Sequence, residues 1–304
     1  MRGSSARRRR PTVAALAVLT ALAAVTLTGC GGTADGSAGG RPTVVTAFYP
    51  LQFVAERLAD GAFDVTTLTR PGVEPHDLEL SPQALRTVAS GDLVVYLGGF
   101  QPAVDEAVDQ AAGDSALDVS DAADLVPVGD QGRDPHFWLD PIRLAAVADA
   151  VADRLTALSP SDAQQVRANA AELRTDLETL DAELRDGLAT CADRHLVTAH
   201  EAFRYLADRY DLEQVGIAGV SPDQEPSPGD LASLARLVRA EGVRTVFTES
   251  LVSPAVARTV ADSAGARTAV LDPVEGITDD SAGADYLAVM RANLRALREG
   301  LPCR

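Results

Sequence analysis

The sequence predicts an α/β fold: two lobes on mostly parallel sheets, joined by one long helix. Short β-branched runs alternate with Ala/Leu/Arg-rich helical stretches from Thr43 to Ser120, and the same alternation resumes at His195. Between the two series, residues 141–190 contain no strand-like run. Strands separated by helical crossovers pair in parallel. The roughly 265 residues that follow the N-terminal region suit two domains of ordinary size better than one small core.

In the first series, TVVTAF (43–48) reads as a strand and LQFVAERLAD (51–60) as a helix. FDVTTLT (63–69) is a strand, followed by a helix over 81–90 with Ser81 as N-cap and Pro82 at its first position. DLVVYLG (92–98), QPAVDEAVDQAA (101–112) and SALDVS (115–120) continue as strand, helix, strand. Pro141 to Leu158 then reads as one helix. Ser161 to Thr190 reads as another, about 45 Å long at 1.5 Å per residue. Leu173, Leu177, Leu180 and Leu184 give this second helix one apolar stripe, as expected of a link between lobes. The second series has strands at 195–200, 212–218, 243–249 and 266–272, and helices at 201–210, 228–242, 253–265 and 281–300. The expected division is 43–158 for the N-terminal lobe, 159–190 for the linking helix and 191–304 for the C-terminal lobe.

The first residues bear on location. Arg2 and Arg7 to Arg10 form a cationic start, and Thr12 to Leu27 an apolar stretch. It ends in Leu27-Thr28-Gly29-Cys30, the pattern of a lipoprotein cleavage site, with Cys30 to be acylated. Residues 1–29 are thus expected to be a signal peptide and 30–42 a flexible tether. The product would be an extracytoplasmic protein, lipid-anchored to the outer face of the cytoplasmic membrane. Those 29 residues carry five arginines and no acid, so their loss takes the net charge from −17 to −22. Such a charge argues against nucleic acid as a partner and attracts cations. Cys191 and Cys303 remain in the mature body; an exported compartment permits a disulfide between them, though sequence alone leaves two free thiols open.

Only four histidines occur in the chain. His76 lies in PGVEPHDLELSP, His136 in DPHFWLDP and His200 in VTAHEAFRYLADRYDL, while Asp272 follows an apolar run in AVLDPVEG. Each falls at or beyond the end of an expected strand, the edge where open α/β sheets bind ligands. Imidazole nitrogens plus one carboxylate suit a borderline divalent cation such as zinc. His195 opens a strand outside any such segment and reads as structural. Glu249, in VFTES, is a candidate for supporting a histidine from behind or an ordinary strand-end acid. Phe137 and Trp138 are expected to pack beneath His136.

These blocks, with GVSPDQEPSPGDL and in this order, resemble the metal-binding solute-binding lipoproteins of bacterial ABC importers, the cluster A-I or ZnuA-like group. The resemblance spans essentially the whole mature chain. It implies two (β/α) lobes joined by one long helix, with the metal in the cleft between them. It also implies His76, His136, His200 and Asp272 as the ligands. The implied function is a monomeric zinc receptor, not an enzyme, that delivers Zn2+ to a membrane permease. In the manganese-binding branch a carboxylate replaces the histidine at 200, so an imidazole there favours zinc.

The chain departs from the family pattern in two places. The region 114–133 is acidic but has no histidine, so no zinc-collecting loop is expected. Pro75, with Glu74 one residue earlier, stands where some members carry a Glu before the first ligand, so no further ligand is expected from that side. The alternatives are a manganese or iron receptor of the same family and, further off, a zinc metallohydrolase. The latter would need an open water position and a general base, and no H-E-x-x-H pair is present. An adhesive role has no signature in the sequence.

Overall fold

A computed structural model describes residues 40–304 except Asp130, Gln131 and Glu225. The expected signal peptide, Cys30 and most of the tether lie outside the described residues.

The first half runs β1 (Thr43–Thr46), α1 (Tyr49–Ala59), β2 (Asp64–Thr67), α2 (Pro82–Ser90), β3 (Leu93–Tyr96), α3 (Pro102–Ala111), β4 (Ala116–Asp118) and the short α4 (Ser120–Ala123). Its four strands form one parallel sheet in the order β2-β1-β3-β4. Two helices follow, α5 (Pro141–Leu158) and α6 (Ala163–Leu188). The second half runs β5 (His195–Thr198), α7 (Arg204–Arg209), β6 (Glu213–Gly216), α8 (Pro228–Ala240), β7 (Thr245–Thr248), α9 (Ala255–Ala264), β8 (Arg267–Val270) and α10 (Tyr286–Gly300). Its sheet is again parallel, in the order β6-β5-β7-β8. The two sheets therefore repeat one topology, and in each the order reverses beside the first strand. Reversal of strand order opens a crevice at the carboxyl ends.

Local chemistry sets many of the helix starts. Ser81 accepts from the Ala84 N–H at 3.2 Å, with Pro82 opening α2. Asp140 does the same for Ile142 at 2.9 Å at the start of α5. Ser227 and Asp230 form a reciprocal capping box on α8.

The 26-residue α6 is about 39 Å long at 1.5 Å per residue. Its Leu173, Leu177, Leu180 and Leu184 are fully buried, and the helix packs on α5, α1 and α10. Contact with α10 is close at Gly187, where an added Cβ would meet Leu294 Cδ1 at 2.8 Å. The main core runs continuously from Val44 and Phe48 through Trp138 and the α6 leucines to Phe203, Phe247 and Tyr286. A smaller core, including Val197, Val238, Val246 and Val260, lies between the second sheet and α8 and α9. A disulfide joins Cys191 to Cys303 across 112 residues, tying the chain end beside the start of β5.

Candidate metal centre

Four side chains converge where the two sheets' carboxyl ends meet: His76, His136, His200 and Glu275. His76 lies in the segment after β2, and His136 follows β4 in the short turn before α5. His200 lies two residues past β5 and Glu275 five past β8. All are buried except His76, whose side chain keeps 9% of its surface exposed.

Their spacing fits a bound cation. Nε2 of His136 is 3.3 Å from Nε2 of His76 and 3.4 Å from Nε2 of His200. Glu275 Oε1 lies 3.2 Å from Nε2 of His136, 3.5 Å from that of His76 and 3.7 Å from that of His200. A tetrahedral zinc with ligands at about 2.0–2.1 Å has ligand-to-ligand edges of about 3.3 Å. Glu275 Oε1 is also buried and, among the described residues, has no hydrogen-bond donor of its own. A buried carboxylate oxygen ringed by three imidazole nitrogens is what a cation-binding shell leaves when considered without its ion.

Two rings are oriented from behind. Asp134 Oδ1 accepts from the His136 backbone N–H at 3.0 Å and lies 2.8 Å from its Nδ1. Glu249 Oε1 accepts from the His200 N–H at 3.0 Å, while Oε2 is 2.6 Å from its Nδ1. A carboxylate at Nδ1 holds the proton there and leaves the Nε2 lone pair free for a metal. The His200 carbonyl is held in turn by the Thr198 hydroxyl at 2.6 Å and Gln214 Nε2 at 3.1 Å. These bonds keep residues 200–203 out of the helix expected over 201–210, and α7 starts only at Arg204.

Without a metal the four groups hold protons unequally. Burial lowers the His76 pKa. Burial would also lower that of His200, but its bond to Glu249 and the nearby Glu275 carboxylate prevail and push it up to about 10. His136 is raised too, since Asp134 and Glu275 outweigh burial. Burial would raise Glu275, yet the three histidines hold it well below the usual carboxylate range. Glu74 is pushed up to about 8 by burial and by the nearby Glu275 charge.

The structure brings His76, His136 and His200 together as expected, but the carboxylate in their group is Glu275 and not Asp272. Asp272 Oδ1 accepts from the Val274 N–H at 2.7 Å, closing the turn. Its backbone is clamped by Asn293 of α10, with bonds of 2.9 Å to its N–H and 2.7 Å to its carbonyl. Val274 takes a left-handed conformation, φ 57°, costly for a β-branched residue, and so delivers the next residue to the histidines. Trp138 packs at 5.3 Å from the His136 ring, and its indole N–H also donates to the Pro273 carbonyl at 2.7 Å. His195 stands at the opposite, amino end of β5, 3.0 Å from Asp193 through Nδ1. Glu74 accepts from the His76 N–H at 3.1 Å and does not join the group.

Comparison with known proteins gives the chain its family. Residues 44–300 match the model of the ZnuA family, described as zinc-uptake complex component A, periplasmic. The chain belongs to this family. It is 32% identical over 302 residues to the zinc-binding lipoprotein AdcA of Streptococcus pneumoniae, covering 93% of this chain and 60% of that protein. It thus spans about 60% of the length of the AdcA relatives it matches. It is 30% identical over 289 residues to the high-affinity zinc uptake system protein ZnuA of Bacillus subtilis, covering 89% of this chain and 90% of the other. Among solved structures, the Zn(II)-bound ZnuA-like domain of S. pneumoniae AdcA superposes with a TM-score of 0.75 at 33% identity. That match covers 86% of this chain and 99% of the domain.

Proposed function

We propose that this protein is the extracytoplasmic zinc receptor of an ABC importer, acting as a monomer held to the outer face of the membrane through lipidated Cys30. It captures Zn2+ with His76, His136, His200 and Glu275 and hands the ion to a membrane permease. The observation that carries the reading is the convergence of three Nε2 atoms and one orphaned carboxylate oxygen at tetrahedral-edge distances. Family membership and the zinc-binding names of the relatives support the same cargo.

Each member of the site has a distinct task. Glu275 supplies the one anionic ligand, so the four-ligand shell carries a net charge of about +1 with Zn2+. Glu249 and Asp134 add negative charge behind the rings and fix their tautomers. A closed four-ligand shell leaves no position for an activated water, which suits carriage of the metal and not hydrolysis. The test is a zinc titration against a chelator of known affinity on the purified protein and on Glu275→Ala. Tight binding weakened by at least about 10-fold in the variant is expected; equal affinities would refute the assignment of the ligands.

A further inference from the structure

His76 differs from the other two histidines in how it is held. Asp134 and Glu249 brace His136 and His200 at Nδ1, but among the described residues no side chain accepts from Nδ1 of His76. Its ring packs edge-on against Phe100, with centroids 4.8 Å apart at 89°, and otherwise meets the rings of His136 and His200. It also rides on residues 71–80, which contain neither helix nor strand.

The bond that anchors this segment comes from Gln101, the residue after Phe100. Gln101 is 2% exposed and stands at the N-cap of α3, yet its side chain makes no capping bond. Its Nε2 instead donates to the Pro75 carbonyl at 3.0 Å and to the Thr69 hydroxyl at 3.1 Å. A carbonyl can only accept, which fixes the amide's orientation. The Thr69 hydroxyl passes the tie on, donating to the Ala47 carbonyl at 2.8 Å just beyond β1. A buried chain of three bonds thus connects the peptide before His76 to the end of the first sheet.

We infer that Gln101 is a positioning residue for metal binding: through Pro75 and Thr69 it holds His76 at its place in the site. The inference rests on the zinc-binding reading above. Gln101 touches no ligand atom and acts only through the His76 segment, so its effect must vanish when His76 is no longer a ligand.

The experiment is a double-variant cycle. Zinc dissociation constants are measured by chelator competition on the purified wild type, Gln101→Met, His76→Ala and the double variant. Circular dichroism of the metal-free forms checks that each folds. Gln101→Met keeps the volume and removes both donors; it should weaken zinc binding about 10-fold or more, the range seen when a supporting residue behind a metal ligand is lost. In the His76→Ala background, where His136, His200 and Glu275 remain, the same change should cost less than about 2-fold. Should Gln101→Met not fold, Thr69→Val serves in its place, with a smaller loss and the same dependence on His76. Equal losses in both backgrounds, or no loss in a wild type that binds zinc, would overturn the inference alone. A wild type that binds no zinc would instead remove the reading beneath it.

Discussion

Glu249 and His200 are joined twice: one carboxylate oxygen accepts from the histidine's backbone N–H at 3.0 Å, and the other lies 2.6 Å from its Nδ1. The pair spans 49 residues and links the ends of β5 and β7, adjacent strands of one sheet. Glu249→Gln retains the shape but replaces one acceptor oxygen with a donor. Zinc affinity by chelator competition should fall about 10- to 100-fold, the usual cost of losing the carboxylate behind a metal-bound histidine. An unchanged affinity would mean that the pair serves folding alone.

The two acids of VLDPVEG should separate cleanly. Glu275→Ala removes the carboxylate facing the three imidazoles and should weaken zinc binding with little loss of metal-free stability. Asp272→Ala removes the acceptor for Val274 N–H and should do the reverse, lowering thermal stability by about 1–3 kcal/mol. Zinc titration and thermal melts on both variants decide. A larger loss of affinity in Asp272→Ala would show that the ligand is Asp272 after all.

Protons should leave when zinc arrives. In the metal-free protein His200 is pushed up to about 10, against burial, by its bond to Glu249 and the nearby Glu275 carboxylate, and His136 is raised as well. At pH 7.5 the His200 ring holds a proton that a metal must displace, so binding should release about one proton or more. Calorimetry in buffers of different ionisation enthalpy measures this number directly. The sign follows: affinity drops as pH falls, because more protons compete for the same nitrogens. Zero release at pH 7.5 would contradict the arrangement.

Asp181 ties α6 to α7. It is 5% exposed, and it accepts from Arg209 at 2.5 Å, Arg185 at 2.6 Å and Tyr210 at 3.0 Å. Burial alone would raise its pKa, but the bonds to Arg209 and Arg185 lower it. A depressed carboxylate contributes stability that is present above the ordinary value near 4 and is lost as pH falls through the lower folded value. Asp181→Ala leaves Arg209 paired with Asp140 and should cost about 1–3 kcal/mol in urea unfolding at pH 7. The difference from wild type should shrink in acid. A cost below about 0.5 kcal/mol would show the network to be idle.

Periodicity made much of the fold legible. The leucines of α6 recur every three or four residues, and all four are buried; β-branched runs separated by helical stretches gave parallel strands in both sheets. The three histidines were legible because each stands past a strand end in a Pro-rich or acid-flanked segment. The fourth member was not. Asp272 and Glu275 sit three residues apart in one turn, and which of them faces the site depends on the left-handed Val274 and the Asn293 clamp. Neither has a sequence signature. The late start of α7 escaped for a similar reason, since bonds from Thr198, Gln214 and Glu249 override the helical pattern after His200.

The most direct measurement is a zinc titration of the purified protein in competition with a chelator, repeated with manganese as the competing metal and on His136→Ala. His136 is fully buried, braced by Asp134, and faces Glu275 Oε1 more closely than either other histidine. Zinc should bind with a dissociation constant below about 1 μM, more tightly than manganese, as imidazole-rich sites do, and His136→Ala should weaken it by at least about 10-fold. Zinc binding weaker than about 1 μM, or binding that His136→Ala leaves untouched, would contradict a zinc receptor built on this site.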